Sequence, residues 1–347
     1  MAHDDNTATS EPPLRRLDHK LGRVLDGSYT NHDFIIADAK DADMAYGVTA
    51  AGARPEAYIP VGDAGPGRYR TRAEYLDAMR ALIGQGEIDI LLTSASNGER
   101  LADGGDLARD PDLTLAVRAN DTTDIWNQRG SQYAALPSLP FRTADLNAVR
   151  PFCDLVLYSI TFNNDLDLDR SALDEYSRFR ADAAALGLRH FLEVFNPNAA
   201  ERLDPKHTGS FVNDSIVRAL AGVTSKHRPL FLKMAYNGPD ALTELAEHDP
   251  TLVIGILGGS AGTTRDTFEL LHQAEHCGAR VALFGRKIQR SESQLDLVRH
   301  MRLVLQEELS PADAVRSYHE TLAASGLSPF RSLEDDLEIT EPVLREA

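Results

Sequence analysis

The chain has 347 residues, 42% hydrophobic and 26% charged, with a net charge of −17. That acidity argues against a nucleic-acid partner, because phosphate backbones are bound by basic surfaces that release counterions. No apolar run approaches the ~18 residues that would span a membrane, and the two distant cysteines, Cys153 and Cys277, lack any metal-ligand spacing and read as buried free thiols.

The opening MAHDDNTATSEPP has no basic segment followed by an apolar one, so no secretory leader is expected and the cytoplasm is the expected compartment. Residues 1–30 read as an irregular arm with a helical turn around 14–25. A unit then recurs: a short run rich in Val, Ile, Leu and Phe, a polar or glycine turn, and a longer stretch of helical periodicity. The runs are FIIAD (34–38), IDILLTS (88–94), LTLAVRAND (113–121), CDLVLYSITF (153–162), HFLEVF (190–195), PLFLKMAY (229–236), LVIGILGGS (252–260) and RVALFGRKI (280–288). Most read as strands buried on both faces, as a parallel sheet requires. Helices are expected at 72–83, 124–133, 171–186, 214–225, 239–247, 263–277 and 294–307.

Eight βα units predict a closed (β/α)8 TIM barrel of the α/β class. A doubly wound sheet would carry a glycine fingerprint after its first strand, and DAKDADMAYG is not one. Residues 48–70 form a long loop after strand one, and 311–324 an extra terminal helix. The expected division is an arm at 1–30, a catalytic barrel at 31–325 and a tail at 326–347.

Barrels place their active sites at the C-terminal ends of the strands. The residues closing the runs are Asp38 and Lys40, Ser94 and Ser96, Asn120 and Asp121, those at 159–163, Glu193, Lys233 and Tyr236, those at 258–260, and Gly285 with Arg286. Lys233 in PLFLKMAYNGP has two readings: a desolvated amine available for Schiff-base chemistry, or a lysine that snorkels out or pairs with a carboxylate such as Asp38. The turns GILGGSAGTT (255–264) and FGRK (284–287) follow strands seven and eight, where barrels often bind phosphate, and Arg286 adds a fork of donors. The eleven histidines show no metal-ligand pairing, and no metal or cofactor is expected.

Two resemblances bear on these residues. Asp38-x-Lys40-x-x-Asp43 is similar to the signature of orotidine-phosphate decarboxylases, which makes a sugar-phosphate decarboxylase the second reading. LFLKMAYNGP followed by LGGSAGTTRDTFELLHQAEHCGARVALFGRKIQRSES resembles the class I aldolase family of archaeal-type fructose-bisphosphate, deoxyribose-phosphate and tagatose-bisphosphate aldolases. RANDTTDIW and DLVLYSITFNND are similar to that family's strands three and four. The resemblance implies Lys233 as the Schiff-base lysine, Asp38 as the acid of strand one, and Gly258, Gly259, Ser260, Gly285 and Arg286 as the phosphate site. Tyr236 keeps the family's spacing to Lys233. It further implies an aldehyde-lyase acting on a phosphorylated keto substrate and assembling as a homo-oligomer.

Two departures stand out. Phe195 occupies the position of the strand-five proton-transferring tyrosine, leaving Glu193 as a substitute acid or base, and Lys287 replaces an asparagine. A barrel that binds a phosphorylated metabolite without turnover is the third reading.

Overall fold

The computed structural model describes residues 14–54, 69–201, 203–259 and 262–345. The eight apolar runs form the eight strands of a closed barrel: β1 (Ile35–Lys40), β2 (Ile90–Thr93), β3 (Thr114–Arg118), β4 (Leu155–Thr161), β5 (Arg189–Phe195), β6 (Leu232–Met234), β7 (Gly255–Leu257) and β8 (Val281–Phe284). Each pairs in parallel with its neighbours in chain order, and β8 closes onto β1 through Ile35↔Val281 to Asp38↔Phe284. Helices surround the sheet, giving the expected (β/α)8 architecture.

Alternation along each strand divides the apolar side chains into two cores. Ile35, Ala37, Ala39, Leu92, Ala116, Leu157, Phe191, Phe231, Val281 and Leu283 fill the lumen, where Phe191 and Phe231 stack with ring centroids 4.6 Å apart. Phe34, Ile36, Leu91, Val117, Tyr158, Val194 and Met234 face the helices.

Helix Arg16–Leu25 occupies the expected helical turn and inserts Leu17 and Leu21 into the lumen core at the foot of the barrel. Fully burying one such leucine stabilises by roughly 1.5–3 kcal/mol. The same helix brings Lys20 and Arg16 to Asp89, with contacts of 2.9 and 3.0 Å, while Arg302 reaches that carboxylate at 2.6 Å. Burial alone would raise Asp89, but Arg302 and Lys20 outweigh it and hold it below the usual carboxylate range.

The helix expected at 124–133 does not form. The segment holds a short 3-10 turn, Thr123–Ile125, within an excursion whose strands Asn120–Thr122 and Pro140–Arg142 pair antiparallel. Its residues, DIWNQRGSQY, have no repeating apolar face, and Trp126 packs edge-on against Tyr133 and Phe141 instead. An unforeseen helix, Ala95–Asp103, follows β2. The terminal helix Pro311–Ala324 is present as expected, Cys153 is buried, and Cys277 is half-buried. No helix among the described residues is long and apolar enough to cross a membrane.

Candidate active site

Register and alternation assemble the site. Ser159, Glu193 and Lys233 are paired partners on β4, β5 and β6, so they lie side by side at one height. Phe191 and Phe231, two residues earlier, belong to the lumen core, so Glu193 and Lys233 also face the lumen, above it and toward the mouth. Arg118, two residues after lumen-facing Ala116, reaches them from β3.

The Lys233 amine lies 2.6 Å from Glu193 Oε1. Glu193 Oε2 accepts hydrogen bonds from Arg118 Nη2 at 2.8 Å and Ser159 Oγ at 2.6 Å. Arg118 Nη1 donates to Ser159 Oγ at 2.6 Å, and its Nε donates to Asp41 Oδ2 at 2.5 Å. All five side chains are buried, and the two cations balance the two carboxylates, as a desolvated charge cluster requires. Burial by itself would raise Glu193, but Lys233 and Arg118 overcome it and bring the carboxyl down to about 2. Burial would likewise lower Arg118, yet Asp41 and Glu193 drive it above its ordinary value.

Asp38 is elsewhere. Ala37 and Ala39 point into the lumen, so Asp38 and Lys40 point toward the helices. They are 3.0 Å apart and fully buried, and Lys40 donates to Gln294 Oε1 at 2.8 Å, at the start of helix Gln294–Leu305. Burial raises the Asp38 carboxyl to about 6, with Lys40 opposing, and the same burial lowers Lys40. Asp43 accepts from Ser94 Oγ at 2.6 Å and Asn97 Nδ2 at 3.0 Å. The Asp-x-Lys-x-x-Asp motif is thus split, and Asp41, inside it, is the acid that joins the Lys233 network.

Tyr236 lies in the helix-facing core and donates its hydroxyl hydrogen to Gln273 Oε1 at 3.1 Å, away from the lysine. Phe195 extends the lumen face of β5 beyond Glu193, paired with Thr161. Its ring offers no proton.

The turns after β7 and β8 meet across the mouth. Gly259 has φ +63, and Arg286, exposed, donates through Nη2 to its carbonyl at 2.9 Å and through Nη1 to Tyr46 Oη at 3.2 Å. Gly285 must be glycine, because a Cβ there would fall 2.6 Å from the Ala39 carbonyl oxygen. Ser260 lies outside the described residues. One neighbour of these turns was not foreseen: Glu341, whose carboxylate is 3.4 Å from the Lys287 amine and lies beside Gly259. Asp266 anchors that tail by accepting from Thr340 N at 2.8 Å, Thr340 Oγ1 at 2.5 Å and Glu341 N at 3.2 Å.

The chain is thus a closed (β/α)8 barrel with a buried, lumen-facing lysine on its sixth strand. Among solved structures the chain is similar to an archaeal fructose 1,6-bisphosphate aldolase, at 15% identity and TM-score 0.59, covering 84% of this chain and 99% of that one. A second archaeal fructose-1,6-bisphosphate aldolase structure, also at 15% identity, TM-score 0.59 and the same coverage, has its catalytic lysine covalently bound to the carbinolamine intermediate of the substrate. The fructose-bisphosphate aldolase of Slackia heliotrinireducens is similar at 14% identity and TM-score 0.61, covering 92% of this chain and 96% of that one. At these identities the likeness establishes the fold. No protein-family model matches the chain, and no curated protein matches it in sequence.

Proposed function

We propose that the protein is a class I aldolase-like lyase that forms a Schiff base between Lys233 and a phosphorylated keto compound. The observation that carries this reading is the buried, lumen-facing Lys233 amine held 2.6 Å from Glu193 within a charge-balanced network.

Substrate entry opens the ion pair, a proton passes from the Lys233 ammonium to Glu193, and the amine so formed adds to the carbonyl carbon while the C=O π pair moves to oxygen. Proton transfer from nitrogen to oxygen gives a carbinolamine, and the proton held on Glu193 passes to its hydroxyl, which leaves as water to give the iminium and the Glu193 carboxylate. The adjacent carbon–carbon bond then breaks toward the iminium carbon, forming an enamine. The departing carbon becomes a carbonyl as its hydroxyl proton passes to a base, and the reverse sequence makes the bond.

Glu193 faces a cation in both the resting ammonium and the iminium. In the neutral carbinolamine between them the Lys233 charge is gone, and Glu193 holds the proton it took from the ammonium until it gives it to the departing hydroxyl. Arg118 and Ser159 fix its orientation. Asp41, rather than Asp38, is the strand-one acid of this scheme.

The substrate's phosphate is assigned to the turns at Gly258, Gly259, Ser260 and Gly285 with Arg286. A homo-oligomer belongs to the same proposal, on the strength of the sequence resemblance. The decarboxylase reading lacks comparable support, since Asp38 and Lys40 face the helices.

Borohydride trapping with a panel of keto phosphates tests the assignment. A reduced adduct on Lys233, absent in Lys233→Ala, is expected. Turnover of a panel member without any adduct would sink it, and tight binding of a panel member with neither turnover nor adduct would favour a non-catalytic barrel.

A further inference from the structure

Helix Thr264–His276 ends in His272-Gln-Ala-Glu275-His276, two imidazoles one turn apart on one face with a glutamate between. Their rings are 4.2 Å apart between centroids. Helix Gln294–Leu305 ends alongside, and Glu307, just beyond it with φ +58, turns its carboxylate toward His276. Glu307 lies far from His272 and His276 along the chain, so no sequence spacing marks the cluster.

We infer that Glu275, His276 and Glu307 form a binding site for a divalent transition metal of the zinc class at the foot of the barrel, with His272 beside it. Each of the three residues offers a ligand atom within 4.8 Å of the other two. His276 Nδ1 is 2.8 Å from the His272 carbonyl oxygen, so the proton belongs on Nδ1 and the Nε2 lone pair is left free. Nε2 faces Glu307 Oε1 at 3.7 Å. Ligands about 2.0 Å from a tetrahedral zinc lie roughly 3.3 Å apart; Glu307 is close to that spacing from Nε2, whereas Glu275 Oε2, 3.4 Å from Nδ1 and with Arg280 3.9 Å from Oε1, has to swing toward Nε2 to join it.

Mixed imidazole and carboxylate donors suit zinc, cobalt and nickel better than calcium or magnesium. Two helices end here, and the negative ends of their dipoles favour a cation. Tyr29, just before β1, donates to Glu275 Oε1 at 2.9 Å and fixes that carboxylate from the third side. The site is remote from Lys233, since these helices run from the mouth back to the foot. A metal there would tie two helix ends together rather than take part in chemistry.

The test uses the full chain, stripped with a chelator, titrated with Zn2+ by calorimetry and with Co2+ by visible absorption. One equivalent bound, a rise in Tm with the metal, and at least tenfold weaker binding in both His276→Ala and Glu307→Gln are expected. Both side chains are largely exposed, so these variants should fold, which circular dichroism checks. No saturable binding, or an adventitious ion only, with affinity unchanged in both variants, would overturn the site. Equal loss in Lys233→Ala would overturn it too, by moving the metal to the mouth.

Discussion

Lys40 and Lys233 each lie at the end of an apolar run and each face a carboxylate, yet strand alternation sends them to opposite sides of the sheet. Lys40 belongs to a sealed pair behind β1, where removing one partner strands the other charge. Lys40→Met should therefore cost about 3–5 kcal/mol in urea denaturation. The double variant Asp38→Leu, Lys40→Met should recover most of that loss and still trap substrate on Lys233. A folded double variant that no longer traps would return Asp38 and Lys40 to the chemistry. This division was not legible beforehand, because a barrel strand is apolar on both faces and offers no polar side from which to read orientation. Lys233 was legible as an amine amid apolar residues. Arg118 stood in the same kind of run, LTLAVRAND, but the asparagine and aspartate that close the run drew the reading away from it. Asp41 was legible only as a loop acid, since its partner lies 77 residues away.

At the scale of elements, strands were easier to read than the segments between them. The eight apolar runs needed only continuous hydrophobicity to be visible, and every one became a barrel strand. The segment at 124–133 looked helical by position in the βα rhythm, while its composition favoured the hairpin excursion that formed. The tail was the least legible element, because its place is fixed by Asp266 accepting from Thr340 and Glu341, more than seventy residues apart in sequence. That contact brings a carboxylate beside the turns assigned to phosphate. Glu341→Gln should strengthen inorganic phosphate binding about fivefold by calorimetry, equivalent to ~1 kcal/mol for one partly exposed charge. Unchanged or weaker binding would mean that Glu341 supports the turns rather than opposing the anion.

Across the whole molecule the two ends of the barrel divide the work. Helix Arg16–Leu25 and the Asp89 cluster close the foot, while the mouth holds Lys233 in a network of paired charges. Two buried carboxyls give stability opposite dependences on pH. Glu193 is held at about 2, below its ordinary value, so its contribution is complete above pH ~4.5 and lost as pH falls through about 2. Asp38 is raised to about 6, so its contribution is complete below pH ~4 and lost as pH rises through about 6. The stability advantage of the wild type over Glu193→Gln should thus be full at pH 5 and shrink toward pH 2 in urea titrations. An advantage independent of pH would contradict the paired carboxylate.

Lys233 replaces a substrate's carbonyl oxygen in the proposed reaction, so that oxygen must be released to water. A keto phosphate found to be a substrate, labelled with 18O at its carbonyl, is incubated with the protein and followed by mass spectrometry. Label loss well above the uncatalysed rate is expected, abolished in Lys233→Ala and in Lys233→Arg. Accelerated loss that survives in Lys233→Ala, or turnover with the label retained in the carbonyl, would contradict it.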